Sequence, residues 1–507
     1  MGLFSRILNN IEGANSQQLV TTPPSFVAPK GQQPDRRTIF RNRQNFGVNF
    51  GSLFVQEKWI CDRFFINNTN NELDAISAYI DTHGLDKTKE DLQDHWNNYV
   101  TDSDWQWLRE KNVTAIRLPI GYWHVDNGRF TRDTPFAKIA VAYSNSWTAI
   151  QNIFKKANQY DIGILIDLHG LPGGANGADH SGTASGRSDF WNESRYQTLA
   201  IESLQFITND CQKYENFVAL QIVNESVFSE QAISQKHYYA NAIRAVRQID
   251  SSIPIIISDG WWADQWVKWL SESESRLGCH SGVVIDSHIY RCFDDSDKNK
   301  SPEQIINDLG PSVLTNLSSS ADFVIGEYSC VLAGESWSKT NSDDRPNLAQ
   351  RYGQAQSSLF IERANFGYFF WTFKFRWGDG GEWGFVPQVN SGALLSQVTQ
   401  LQREIGNEEM FKEALNGALT PHRDYWNAQD PSTAYEHWRF EDGFKTAWMD
   451  ASAFARFNGS RLGRLNAWKS SRRQEYINSK GDSGFMWEWD HGFDQGLKAC
   501  CHTLFYS

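Results

Sequence analysis

The stretch Phe217–Glu225 reads FVALQIVNE. Seven residues, apolar but for one Gln, are followed at once by Asn224 and Glu225. A short apolar run without alternation is the pattern of a strand buried on both faces of a parallel sheet. Its polar end marks the sheet's carboxyl edge. The same pattern recurs along the chain at Phe46–Phe50, Thr114–Leu118, Ile162–Asp167, Ile253–Ser258, Val283–Ser287, Phe323–Ile325 and Gly367–Trp371. Helical stretches lie between the runs, as at Ser144–Gln159, Arg195–Tyr214, Gln235–Ile249 and Ala349–Ala364. Eight strand–helix repeats predict an α/β fold, a (β/α)8 TIM barrel over residues 46–405.

In such a barrel the residues following each strand surround one pocket on the top face. Here they are Arg117, His169, Asn224, Glu225, His288, Tyr290, Glu327 and Trp371. Taken singly, a strand-end Glu is more often a solvated cap, and a strand-end His a satisfied structural residue. Six runs ending in such side chains outweigh that reading. Glu225 closes VALQIVNE and Glu327 closes DFVIGE. Two carboxyl groups about 5–5.5 Å apart, one acid/base and one nucleophile, are what a retaining glycosidase requires. Asn224 can donate to a sugar 2-hydroxyl. Arg117 and Tyr290 can keep Glu327 ionised and hydrogen-bonded. His169 and His288 offer hydroxyl contacts, and Trp371 a flat floor for a pyranose. A metal reading from His169, His180 and His288 lacks any HExxH or tight Cys/His spacing. No Gly-rich nucleotide motif and no GxSxG elbow competes. No cofactor and no metal is expected.

The chain has 507 residues and a net charge of −12, with no basic run. That argues against nucleic acid as a partner. Aromatic residues make up 14%, with 21 Trp, 17 Tyr and 32 Phe. No apolar run reaches the length of a membrane span. Residues 1–45 read as an N-terminal arm rich in Gln, Asn, Pro and Arg. Met1–Asn10 lacks the pattern of a secretory signal. Its Leu3, Phe4, Ile7 and Leu8 offer at most a short interfacial turn, and Ser5 sits one position early for a myristoylation motif at Gly2. The expected compartment is the cytoplasm, with membrane-surface association through the N-terminus as the weaker alternative. Seven cysteines without CxxC spacing fit reduced thiols, and the sequons at Asn67 and Asn192 then carry no sugar. Residues 406–507 form a mostly helical extension expected to pack on the barrel, with helices at Glu441–Phe457 and Ser460–Ser479. No internal repeat is apparent. Seventeen aromatic residues fall within 421–507.

Eight collinear segments carry a resemblance. They are GVNFGSLFVQEKWI from Gly47, DHW from Asp94, IRLPIGYW from Ile116, IDLHGLPGGANGADHSG from Ile166, VNE at Val223, IDSHIYRCF from Ile285, IGEYS from Ile325 and YFFWTFK from Tyr368. On these the chain is identified as a member of glycoside hydrolase family 5, and it most resembles the fungal exo-β-1,3-glucanases. The resemblance implies Glu225 as general acid/base and Glu327 as nucleophile. It implies Glu57, Arg117, His169, Asn224, His288, Tyr290 and Trp371 as the shell around a terminal glucose. Phe293 matches an aromatic clamp at the pocket mouth. A second clamp phenylalanine of the family is replaced by Ala178, and Arg376 and Trp377 reshape the rim. The long tail resembles that of intracellular fungal members of the group.

The expected activity is that of a retaining, exo-acting β-glucosidase, like a glucan 1,3-β-glucosidase. Its partners would be small β-glucosides, flavonoid or steryl aglycones among them, or short β-1,3-glucan oligosaccharides. The alternatives are a catalytically silent glycan-binding protein on the same scaffold and a transglucosidase. Trp487 and Trp489 could supply aglycone contacts if the tail reaches the site.

Overall fold

The computed structural model describes residues 33–315, 317, 320–398 and 404–505. These fall into two compact units. One is Asn45–Ser396; the other joins the described residues up to Gln44 to those from Gln397 onward.

The first unit is a closed barrel of eight parallel strands in sequence order. They are β1 (Asn45–Asn49), β2 (Ala115–Gly121), β3 (Gly163–Gly170), β4 (Phe217–Gln221), β5 (Ile255–Ser258), β6 (Val283–Arg291), β7 (Asp322–Leu332) and β8 (Gly367–Phe370). Each matches one predicted run. Closure comes from β1 on β8, with Phe46 opposite Tyr368 and Val48 opposite Phe370. Helices Ser146–Gln159, Ser194–Cys211, Ile233–Arg247 and Arg345–Arg363 make four of the crossovers. β6 and β7 run four and seven residues beyond the ends of their apolar runs. The polar residues that read as strand ends, His288, Tyr290 and Glu327, are therefore inside strands whose pairing continues through His288–Glu327 and Ile289–Tyr328. They are polar because they face the pocket. Gly326 is required there: a Cβ would lie 2.4 Å from the Asp286 carboxylate, which instead accepts the Gly326 N–H at 2.7 Å.

The second unit is helical, with α1 (Arg36–Asn42), α2 (Glu408–Gln429), α3 (His437–Ala455), α4 (Leu465–Lys480) and α5 (Met486–Phe505). The expected arm thus contributes a helix. Asp35 caps it through the Thr38 N–H at 2.7 Å, and Phe40 meets Phe457 edge-on at 5.5 Å. The Asn42 carbonyl accepts the Gly463 N–H at 2.7 Å. α3 and α5 meet backbone to backbone. A Cβ on Gly443 would lie 2.2 Å from the Trp489 carbonyl, and one on Gly492 would lie 2.0 Å from the Phe440 carbonyl. The contact is reciprocal because the helices repeat one pattern. Trp438, Phe440, Gly443 and Phe444 correspond to Trp487, Trp489, Gly492 and Phe493. Seven intervening or matched positions with four similar residues are too few to stand out in a one-dimensional reading.

Among the described residues no helix is long and apolar enough to cross a membrane, and all seven cysteines are free. The features expected of Met1–Asn10 lie outside the described residues.

Candidate active site

The top of the barrel holds a cavity of about 780 Å³. Arg117, on β2, is fully buried and organises its floor. Its Nη1 donates to Asn49 Oδ1 and to Glu327 Oε1, both at 2.9 Å. Nε donates to Gln221 Oε1 at 2.9 Å and Nη2 to Asn224 Oδ1 at 2.7 Å. Asp167 lies 3.0 Å from Nη2. One guanidinium therefore ties β1, β2, β3, β4 and β7 together at the level of the site. An Arg fork suits this role because its donors are rigid and its charge is permanent.

Glu327 accepts from Arg117 through Oε1 and from the Tyr290 hydroxyl through Oε2 at 2.9 Å. Burial, and then the Glu327 and Glu225 carboxylates, raise the Tyr290 phenol well above its usual range, so it stays a donor. Glu225 accepts from two histidines, His288 Nδ1 on Oε1 at 2.8 Å and His180 Nε2 on Oε2 at 3.1 Å. Burial opposes ionisation of Glu225, but those two imidazoles outweigh it and hold its carboxyl well below the ordinary value. Burial works against charge on His180 too. Its bond to Glu225 and the nearby Glu57 and Glu327 carboxylates overcome that and lift it to about 9. His288 is raised well above its usual value, burial again being outweighed, here by Glu327, Asp286 and Glu225. Glu57 lies at the side of the cavity, and burial raises its carboxyl although Trp59 donates to it at 3.0 Å.

Two histidines are aimed by the same local device. In IDLH and IDSH an Asp precedes a His by two residues, so both side chains share one face of a strand. Asp167 Oδ2 lies 2.7 Å from His169 Nδ1, and Asp286 Oδ2 lies 3.0 Å from His288 Nε2. Asp167 thereby takes the Nδ1–H of His169 and leaves Nε2 to accept from Asn224 Nδ2 at 3.4 Å. The rings of His169 and Trp371 are nearly parallel, 6.0 Å apart. Glu225 itself sits at φ +41°, a conformation that is strained for a residue with a side chain by about 1–3 kcal/mol. Its carbonyl accepts from Asn176 Nδ2 at 2.9 Å, which helps fix that turn.

One oxygen each of Glu225 and Glu327 and a ring nitrogen of His288 all lie within 4.8 Å of one another. The grouping resembles a metal site, but Glu327 is already matched by Arg117 and Tyr290, and Glu225 has a histidine on each oxygen. Every predicted site residue except Arg117, the floor beneath it, lines the cavity: Glu57, His169, Asn224, Glu225, His288, Tyr290, Phe293, Glu327 and Trp371. Phe293 stands at the mouth, 61% exposed and edge-on to Tyr290. Ala178, Arg376 and Trp377 do not line it; Arg376 pairs with Asp62 at 2.6 Å instead. Sequence reasoning missed Trp59, Trp261 and Trp383 in the wall, and weighed His180 only as a metal ligand. The polar Asn49, Gln221 and Asp286 inside apolar strands were the legible sign of the Arg117 network.

A family profile for cellulase (glycosyl hydrolase family 5) matches residues 78–376, more than half of the chain. A second, for the glucan 1,3-β-glucosidase 3 C-terminal domain, matches 407–504. An uncharacterized glycosyl hydrolase of Saccharomyces cerevisiae is 41% identical over 493 residues, 95% of each chain. Glucan 1,3-β-glucosidase 3 of Schizosaccharomyces pombe is 29% identical over 91% of this chain and 96% of its own. The barrel resembles rutinosidase from Aspergillus niger with a TM-score of 0.55 at 19% identity, covering 71% of this chain and 99% of that one. A family 5 profile over the barrel, a glucosidase-type C-terminal domain and a relative alike from end to end agree: the chain belongs to glycoside hydrolase family 5.

Proposed function

We propose that this glycoside hydrolase is a retaining β-glucosidase that removes a terminal glucosyl unit by double displacement. The observation that carries the reading is the approach of Glu225 and Glu327 to within 4.8 Å. That suits direct attack by one carboxylate and leaves no room for an intervening water, as inversion would need. Glu327, held by Arg117 and Tyr290, attacks the anomeric carbon as the glycosidic bond breaks. Glu225 gives its proton to the departing oxygen, then takes one from the water that releases the glucose. His180 and His288 hold the Glu225 carboxyl below its ordinary value while Glu225 helps lift His180 to about 9, which favours keeping the shared proton on the histidine side. The acid step therefore draws that proton from the His180–Glu225 pair as the leaving oxygen arrives.

Exo action is supported by a floor closed by buried Arg117 and Trp371. A cavity of about 780 Å³ leaves room beyond one sugar for a sizeable leaving group. Trp59, Trp261 and Phe293 are exposed around its mouth and offer flat apolar faces. That favours aryl, flavonoid or steryl aglycones or a short glucan. The presence of both carboxylates with the shell that holds them is the basis for preferring catalysis over silent glycan binding. Hydrolysis of an aryl β-glucoside tests the reading. Glu327→Gln should abolish it, and a residual rate within tenfold of wild type would refute it. A panel of laminari-oligosaccharides and of aryl, flavonoid, steryl and lipid β-glucosides identifies the aglycone. Product analysis at high acceptor concentration separates hydrolysis from transglucosylation. The cytoplasm remains the proposed compartment.

A further inference from the structure

The second unit holds a buried polar cluster that glycosidase chemistry does not use. Glu488, on α5, is completely buried. Among the described residues no Lys or Arg lies within 4.0 Å of its carboxylate; its ion-pair partners are His422 on α2 and His437 on α3. Both address the same oxygen. His437 Nδ1 lies 2.8 Å and His422 Nε2 3.2 Å from Oε2. The other oxygen, Oε1, is buried without a hydrogen-bond partner. A buried carboxylate left with an unmatched oxygen and no fixed cation is expensive. A cation is what this arrangement lacks.

The far side of each ring points to which cation. His437 Nε2 lies 3.1 Å from Asn427 Oδ1, an acceptor, so Nε2 carries a proton. In a neutral ring that leaves Nδ1 as a bare lone pair facing the carboxylate at 2.8 Å. Two acceptors do not face each other across that distance unless something positive lies between them, either a second ring proton, as at His288, or a metal ion. His422 Nδ1 meets His491 Nδ1 at 3.2 Å, and His491 Nε2 meets Gln495 at 3.3 Å, so this ring too is held from behind. Outer partners that fix the tautomer and orientation of each imidazole are the usual accompaniment of metal-ligating histidines. The three candidate ligand atoms lie within 4.8 Å of one another and come from three different helices.

We propose that His422, His437 and Glu488 form a site for a divalent transition-metal ion, with zinc the best match. Two imidazoles and one carboxylate are a borderline-soft set that zinc accepts, and they leave one position for water. The ion would lie beside Glu488 Oε2, which both histidines face, and would tie α2, α3 and α5 together, so its binding free energy would add to the stability of this unit. It takes no part in the glycosidase site, whose carboxylates belong to the barrel.

The full-length protein tests this directly. Elemental analysis after dialysis should find about one zinc per chain. Chelator-stripped protein should melt earlier and recover its Tm on adding zinc chloride. Cobalt added to stripped protein should give the ligand-field absorption of a four-coordinate nitrogen–oxygen site. That absorption should vanish in His422→Ala and in Glu488→Gln. Asn427→Ala, which keeps all three ligands, should weaken zinc binding by about 10- to 100-fold. Should the ligand variants fail to fold, the wild-type metal content and Tm response still decide. Substoichiometric metal with no Tm response to zinc would overturn the proposal and leave a hydrogen-bonded histidine–carboxylate network. Zinc or cobalt retained by the folded double variant His422→Ala/Glu488→Gln would also overturn it.

Discussion

Each unit holds a glutamate addressed by two histidines, at 2.8 and 3.1 Å from Glu225 and at 2.8 and 3.2 Å from Glu488. The distances are alike and the chemistry is not. At Glu225 each histidine takes a different oxygen, so the carboxylate is matched on both sides. Its side chain is 18% exposed and faces a cavity with a second carboxylate, Glu327. At Glu488 both histidines crowd one oxygen, the other is orphaned, and exposure is zero. The first arrangement faces a cavity that a substrate can enter. The second is closed to solvent with one oxygen unmatched, which is the ground for the proposed ion. Residue type and spacing alone do not separate the two; the partner of each oxygen and access to solvent do.

The sharpest break between the regions comes from removing the nucleophile. Glu327→Gln should lower kcat for an aryl β-glucoside by about 10⁴-fold or more, the scale on which loss of a covalent catalyst registers. The melting of the second unit should not change. Glu225→Gln should cost about 10²–10⁴-fold on substrates with poor leaving groups. With a dinitrophenyl leaving group, which needs no protonation, the first step should be nearly unaffected in a pre-steady-state burst.

On the other side of the comparison, Gly492→Ala places a methyl 2.0 Å from the Phe440 carbonyl. Forcing α3 and α5 apart should destabilise that unit by about 1–3 kcal/mol. Calorimetry would show it as an earlier transition, with kcat/KM of the barrel site retained at temperatures below it. An unchanged melting profile would mean the helix contact is not what holds the unit.

The smallest effect concerns pH. His180 is raised to about 9, above its ordinary value near 6.5, by its bond to Glu225. A raised base contributes stability that is complete below about 6.5 and lost as pH climbs through about 9. The shared proton leaves over that same upper range, so kcat/KM should fall there. His180→Asn removes the second proton holder, and the alkaline limb should move to lower pH. Wild-type and variant profiles that superimpose would remove His180 from the proton inventory while leaving Glu225 and Glu327 in place.

Much of the barrel was legible because parallel strands buried on both faces are written as plain apolar runs, as FVAL and VVI are. Their ends were less so. β6 and β7 continue through His288, Tyr290 and Glu327, whose polarity reports the pocket and not a loop. The carboxylates and their neighbours were readable from converging strand ends. His180 was not, since it lies on a loop after β3 and only folding brings it to Glu225. The wall residues Trp59, Trp261 and Trp383 were hidden among 21 tryptophans, most of which pack. In the second unit the pairing of Gly443 with Gly492 depends on two helices meeting, which no local pattern announces.

The most direct test of the double-displacement account is mass spectrometry of the protein after reaction with a 2-deoxy-2-fluoro-β-glucosyl fluoride. The slow-hydrolysing sugar should be found attached to the peptide containing Glu327, with wild-type reactivity and none in Glu327→Gln. No covalent adduct, or one carried by Glu225, would contradict the assignment of Glu327 as the nucleophile.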